Sequence, residues 1–133
     1  MTAVDTEHIV GGAWIRRDGD RVTLTITRCR ACDARWFPPS DVCSHCASHD
    51  VRDEPTGESG VVYASTVVRA GPATYRPPYV LSYVDIDGVR VLAHATGEAL
   101  APGTPVRLGL GEIGRTDAGP LMSYVITAEE RAR

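Results

Sequence analysis

The sequence predicts a mainly β protein in two parts, a four-cysteine zinc ribbon within residues 1–54 and a five-stranded barrel within residues 55–133. Three observations support this. All four cysteines fall in two C-x-x-C pairs, Cys29/Cys32 and Cys43/Cys46, separated by ten residues. The second half of the chain breaks into five β-branched segments bounded by turn signals. No long stretch of helical periodicity interrupts them.

Two thiolates three residues apart on a tight turn point at one ion, and two such turns face to face make the tetrahedral sulfur cage that zinc prefers. The other uses of this pattern fit less well. Paired disulfides need an oxidising compartment. A redox C-x-x-C normally occurs once, at the start of a helix. Iron would accept the same four sulfurs and stays open as a rival metal. His45 and His49 are bystanders, because four thiolates already complete the coordination. Glycine, common after the second cysteine of such turns, is replaced here by Asp33 and Ala47. Alanine tolerates a left-handed backbone poorly, so the second turn is expected to be strained or differently shaped. A closed tetrathiolate has no open position for water and leaves no cysteine free as a nucleophile, so the metal's role is structural. Arg28, Arg30 and Arg35 are expected to offset the cage's negative charge.

Taken in order, residues 5–10 predict a turn of helix stopped by Gly11-Gly12. Asp18-Gly19 is a two-residue hairpin signal. Val22, Leu24 and Ile26 alternate with Thr23, Thr25 and Thr27 in a half-buried strand that delivers the chain to Cys29. Arg35-Trp36-Phe37 forms a second short strand ended by Pro38-Pro39, with Trp36 and Phe37 expected as the lid over the metal. Residues 50–60 lack apolar periodicity and read as a linker between the two parts. Beyond it, strands are predicted over 61–68, 79–86, 89–96, around Val106, Leu108 and Leu110, and over 121–127. Asp87-Gly88 is a hairpin, 101–103 a turn, and 70–78 and 111–120 are loops. Five strands in so short a span suit a small closed barrel of the OB type. The charged tail, 128–133, is expected to fray.

Composition narrows the function. The 43% hydrophobic content describes a globular chain, and no apolar run reaches bilayer length. The acidic start of the chain carries no basic region ahead of an apolar core, so no signal peptide is read there, and a reducing, cytoplasmic home is expected. Formal charge is −3, and a tetrathiolate zinc centre would bring it to about −5. Together with 6% aromatics, this weighs against the rival reading of a zinc-ribbon/OB module that binds nucleic acid. All 14 basic residues are arginine, which reflects genome composition more than phosphate recognition.

The four-cysteine ribbon containing Trp36-Phe37-Pro38-Pro39 is followed by residues 60–68, GVVYASTVV, and by Pro77-Pro78-Tyr79 leading into Val80-Leu81-Ser82-Tyr83-Val84-Asp85. Across roughly residues 20–127 this order resembles the bacterial and archaeal zinc-ribbon OB-fold family long labelled "domain of unknown function thirty-five". The segment ahead of the ribbon is short where many relatives have a helical lead-in. The resemblance implies a rubredoxin-like zinc ribbon joined to an OB-fold, with Cys29, Cys32, Cys43 and Cys46 as ligands. It also implies a non-catalytic partner of a thiolase-superfamily enzyme (a thiolase, an acyltransferase or synthase, or an aldolase) that helps enclose an acyl-CoA or acyl substrate in a hetero-oligomer. Arg69, Tyr75, Arg76 and Tyr79, around the loop before the second barrel strand, combine guanidinium groups with aromatic faces, the chemistry an acyl-CoA or a partner surface would use. His94 lacks an acidic neighbour in sequence and is a poor general base.

Overall fold

The alternation of Val22, Leu24 and Ile26 builds the strand on which the rest is hung. In the computed structural model, which describes residues 8–129, that strand is β3 (Arg21–Cys29). It follows β1 (His8–Ile9), a 3-10 turn (Gly12–Trp14) and β2 (Ile15–Asp18). Then come β4 (Arg35–Trp36), β5 (Val51–Pro55), β6 (Ser59–Val68), a second 3-10 turn (Ala73–Tyr75), β7 (Tyr79–Ile86), β8 (Val89–Ala95), β9 (Pro105–Thr116) and β10 (Gly119–Ala128).

Strands β6 to β10 close on themselves in the order β6-β7-β8-β10-β9-β6. Only the β8–β10 pairing within this ring is parallel, and closure leaves the barrel no free edge. This is the five-stranded OB barrel the sequence predicts. The ribbon is a separate small sheet in which β3 pairs with β2, β4 and β5.

The two sheets share one core. Val22, Leu24 and Ile26 from β3 pack in the same cluster as Val62, Val84, Ile86, Val91, Val106 and Ile126 from the barrel. Leu24, Ile26 and Ile126 are fully buried, and each such side chain contributes about 1.5–3 kcal/mol by leaving water. The threonine face of β3 is covered too. Thr27 is wholly buried and donates to Asp53 Oδ1 at 2.8 Å, and Thr25 accepts from Arg16 Nε at 2.8 Å. The strand is thus buried on both faces where alternation predicted one.

Four further expectations are corrected. The helix over 5–10 lies partly outside the described residues, and within them His8–Ile9 is a strand lying parallel on β10 opposite Leu121 and Met122. Gly11 does end it, at a φ of +72°. The first hairpin turns at Gly19-Asp20, one residue later than predicted, since Asp18 pairs with Arg21. The expected linker contains β5, paired along β3 from Thr25 to Cys29. It lacks an apolar pattern because most of its side chains are exposed and the backbone ladder holds it. Just beyond it, Thr56 donates its N–H to the Leu24 carbonyl at 2.8 Å and accepts the Leu24 N–H at Oγ1, 3.0 Å. The junction is therefore bonded to β3 and not slack. Finally, the loop over 111–120 is mostly strand, with β9 running to Thr116 and turning tightly into β10. Glycines hid it. A Cβ on Gly114 would sit 2.4 Å from the Thr74 carbonyl oxygen, so only glycine lets the second 3-10 turn lie this close against β9.

Candidate metal centre and aromatic cleft

β3 ends at Cys29, and a tight turn brings Cys32 back beside it; residues 43–46 repeat the device. Cys29 N–H donates to the Ala34 carbonyl at 2.8 Å and Asp33 N–H to the Cys29 carbonyl at 2.9 Å. Cys43 N–H to Ser48 O and Ala47 N–H to Cys43 O, both 2.9 Å, reproduce the pattern. Asp33 and Ala47 have φ of 68° and 64°, so the two turns share one shape, and of the two alternatives expected for the second turn, strain or a different shape, it is strain that the backbone shows. The strain at Ala47 does follow from this geometry, because a Cβ in the left-handed region costs about 1–2 kcal/mol. Ala47→Gly is therefore expected to raise the melting temperature by a few degrees without loss of zinc, as thermal unfolding would show.

The four Sγ atoms lie within 4.8 Å of one another. Cys29–Cys46 and Cys32–Cys43 are each 3.6 Å apart, far beyond a disulfide bond, and all four cysteines are free. A tetrahedron with zinc–sulfur bonds of about 2.3 Å has edges of about 3.8 Å, so the cage fits the ion. Backbone amides are aimed at the sulfurs: Cys32 N–H at Cys29 Sγ (3.5 Å), and His45 and Cys46 N–H at Cys43 Sγ (3.3 and 3.4 Å). Desolvation opposes ionisation of Cys43, yet the Cys46 and His45 amides and neighbouring thiols pull it down to about 6. At Cys32 the Ala34 amide favours the thiolate, but desolvation and the neighbouring sulfurs push it up to about 12. Zinc takes cysteine as thiolate, so loading the site releases protons.

The expected surroundings of the cage are corrected in two respects. Phe37 is no lid over the metal. Its ring meets Trp14 edge-on at 5.3 Å and Tyr124 at 5.8 Å, wedged between ribbon and barrel. Trp36 donates Nε1–H to Ser40 Oγ at 2.8 Å. The arginines expected to offset the cage's charge have other partners. Arg28 pairs with Asp33 at 2.6 Å, Arg30 with Asp50 at 3.9 Å, and Arg35 Nη1 donates to the Asp87 carbonyl on the barrel at 3.1 Å.

At the other end of the barrel the second 3-10 turn folds Tyr75 over β7 and β8. Tyr75 and Tyr79, predicted from sequence, come together with His94: Tyr79 and His94 stack at 5.2 Å, and Tyr75 lies 5.7 Å from His94. They line a cleft of about 320 Å³ with Trp14, Leu92 and Tyr124. Arg76 borders the adjoining cleft, which also contains Tyr75, Tyr79 and His94. Arg69 follows β6, is exposed, and lines neither. Burial holds His94 below its ordinary range, so it is neutral at pH 7, and no carboxylate lines the larger cleft. Trp14, Leu92 and Tyr124 were not singled out from sequence. They sit far from Tyr75 along the chain, and no local pattern marks them. Around the barrel's outer surface Tyr63, Tyr83 and Leu92 are also exposed, with Arg90 held over the Tyr63 ring at 3.5 Å and paired to Asp85 at 2.8 Å.

A four-cysteine zinc ribbon bonded to an OB barrel defines the class of protein. Family models agree. "ChsH2, rubredoxin-like zinc ribbon domain" matches residues 17–52 and "ChsH2, C-terminal OB-fold domain" matches residues 53–110. Among solved structures, a chain of the "Ltp2-ChsH2(DUF35) aldolase" is 30% identical, covering 77% of this chain and 84% of that one, with a TM-score of 0.60. No curated protein matches significantly. The chain belongs to the ChsH2 family of zinc-ribbon OB-fold proteins, and its cysteines form that family's zinc site. Among the described residues no helix is long and apolar enough to cross a membrane.

Proposed function

We propose that this protein is a non-catalytic accessory subunit that binds a thiolase-superfamily enzyme and helps form its acyl-CoA or acyl-substrate site. The observation that carries the reading is the likeness, at 30% identity over 77% of this chain and 84% of the other, to a chain of a structure described as an Ltp2-ChsH2 aldolase. The closed tetrathiolate supports it, since such a metal holds the fold and performs no hydrolysis. So does the cleft built on Tyr75, Tyr79 and His94, whose aromatic walls suit an apolar ligand portion or a partner's side chains. In this reading Arg76, exposed at the adjoining cleft, and Arg69, exposed but lining neither cleft, are charges available to an anionic group or a partner surface.

The test is turnover by the isolated, zinc-loaded protein. Acyl-CoA substrates are expected to survive incubation with it unchanged. Robust activity without a partner would overturn the reading and identify the protein as an enzyme in its own right.

A further inference from the structure

The pairing of the ribbon strands places three arginines side by side. Arg28 on β3 lies directly opposite Arg52 on β5 and, on its other flank, directly opposite Arg35 on β4. Directly opposed residues share one face of a sheet, with Cα atoms about 4.5–5.5 Å apart. Like charges so placed repel, so the arrangement works against folding unless something anionic is set over it. Arg30 lies in the turn just past the end of β3 and lines the same cleft as Arg28 and Arg52.

The row is not used up inside the protein. Arg28, Arg30 and Arg52 line a cleft of about 270 Å³ whose lining contains a single carboxylate, Asp33. Asp33 is taken by Arg28, and Asp50 stands 3.9 Å from Arg30. Arg52 makes no ion pair and no side-chain hydrogen bond among the described residues. Nor does the metal cage engage these groups: the hydrogen bonds that reach its sulfurs from outside come from the backbone amides of Cys32, His45 and Cys46.

We propose that this cleft is a phosphate-binding site, with Arg52 and Arg28 as the principal donors. Three guanidinium groups against two carboxylates, Asp33 and Asp50, leave an excess of one positive charge, on Arg52, for an anionic phosphate. Its several acceptor oxygens bond more than one planar guanidinium at a time, as a single carboxylate does less well. The ligand class is a phosphomonoester or diphosphate group on a soluble molecule. The site lies beside the zinc turns, whereas the aromatic cleft gathers at the Tyr79 end of β7. The Asp87 turn at the opposite end of β7, about 23 Å away at 3.3 Å per residue, is the one that Arg35 contacts.

The experiment is calorimetric titration of the zinc-loaded full chain with pyrophosphate and with inorganic phosphate at low ionic strength. Saturable binding is expected, stronger for pyrophosphate. Arg52→Gln should weaken it at least tenfold while zinc content stays unchanged, and Arg52→Lys should recover part of the loss. Arg17→Gln, on β2 outside this cleft, should bind as the wild type does. Absence of saturable binding, or equal binding by Arg52→Gln, would overturn the proposal. So would loss of zinc from Arg52→Gln with phosphate affinity unaltered, which would mean that the row serves the metal. No partner enzyme enters this assay, so its failure leaves the accessory-subunit reading untouched.

Discussion

Cys29→Ser is expected to lose its zinc and unfold the ribbon. The substituted position is buried, ends β3, and contributes a sulfur 3.6 Å from that of Cys46. Serine offers a poor ligand and leaves three thiolates facing one another. Structural zinc in small sites binds with about 10 kcal/mol or more, and half of that matches the whole stability of a marginal domain, about 5 kcal/mol. The damage should not stop at the ribbon, because β3 also carries Val22, Leu24 and Ile26 into the barrel core. Metal analysis and circular dichroism of the purified variant check this. A folded, zinc-loaded Cys29→Ser protein would refute the four-sulfur assignment.

Ile26→Ala is expected to cost about 2–5 kcal/mol, the range for truncating a fully buried aliphatic side chain. Ile26 is wholly inaccessible to solvent and belongs to the cluster that joins ribbon to barrel. Its loss should lower the stability of both parts together. In denaturant, zinc release and loss of β-sheet signal should coincide at one midpoint, shifted equally by the substitution. Two separated transitions, with only one moved, would show that the two sheets fold independently and that the shared core has little energetic weight.

The metal site was legible because its information is local: two C-x-x-C pairs close their own turns, and only the facing of the two turns is long-range. The barrel was legible because β7 and β8 carry regular alternation and an Asp-Gly turn. Where the reading failed, the deciding contact was distant. Phe37 looked like cover for the metal from its place beside Trp36, but it lies just past the end of β4 and its destination is Trp14 and Tyr124. β5 was read as linker because an exposed strand held by backbone bonds to β3 needs no apolar pattern. The glycines of β9 were read as loop, although Gly114 is there so that Thr74 can approach. Tyr75 and Tyr79 were found as a local pair, but His94 joins them only through the β7–β8 register, in which it pairs with Leu81. The arginine row likewise exists only once β3, β4 and β5 are aligned.

Purification of the tagged protein from its native host, followed by mass spectrometry and a mass measurement of the eluted assembly, tests the accessory-subunit reading most directly. The predicted result is a thiolase-like or related acyl-CoA enzyme in fixed ratio with this chain, catalytically active as the complex. Recovery of the protein with nucleic acid, or alone and active on acyl-CoA, would contradict it.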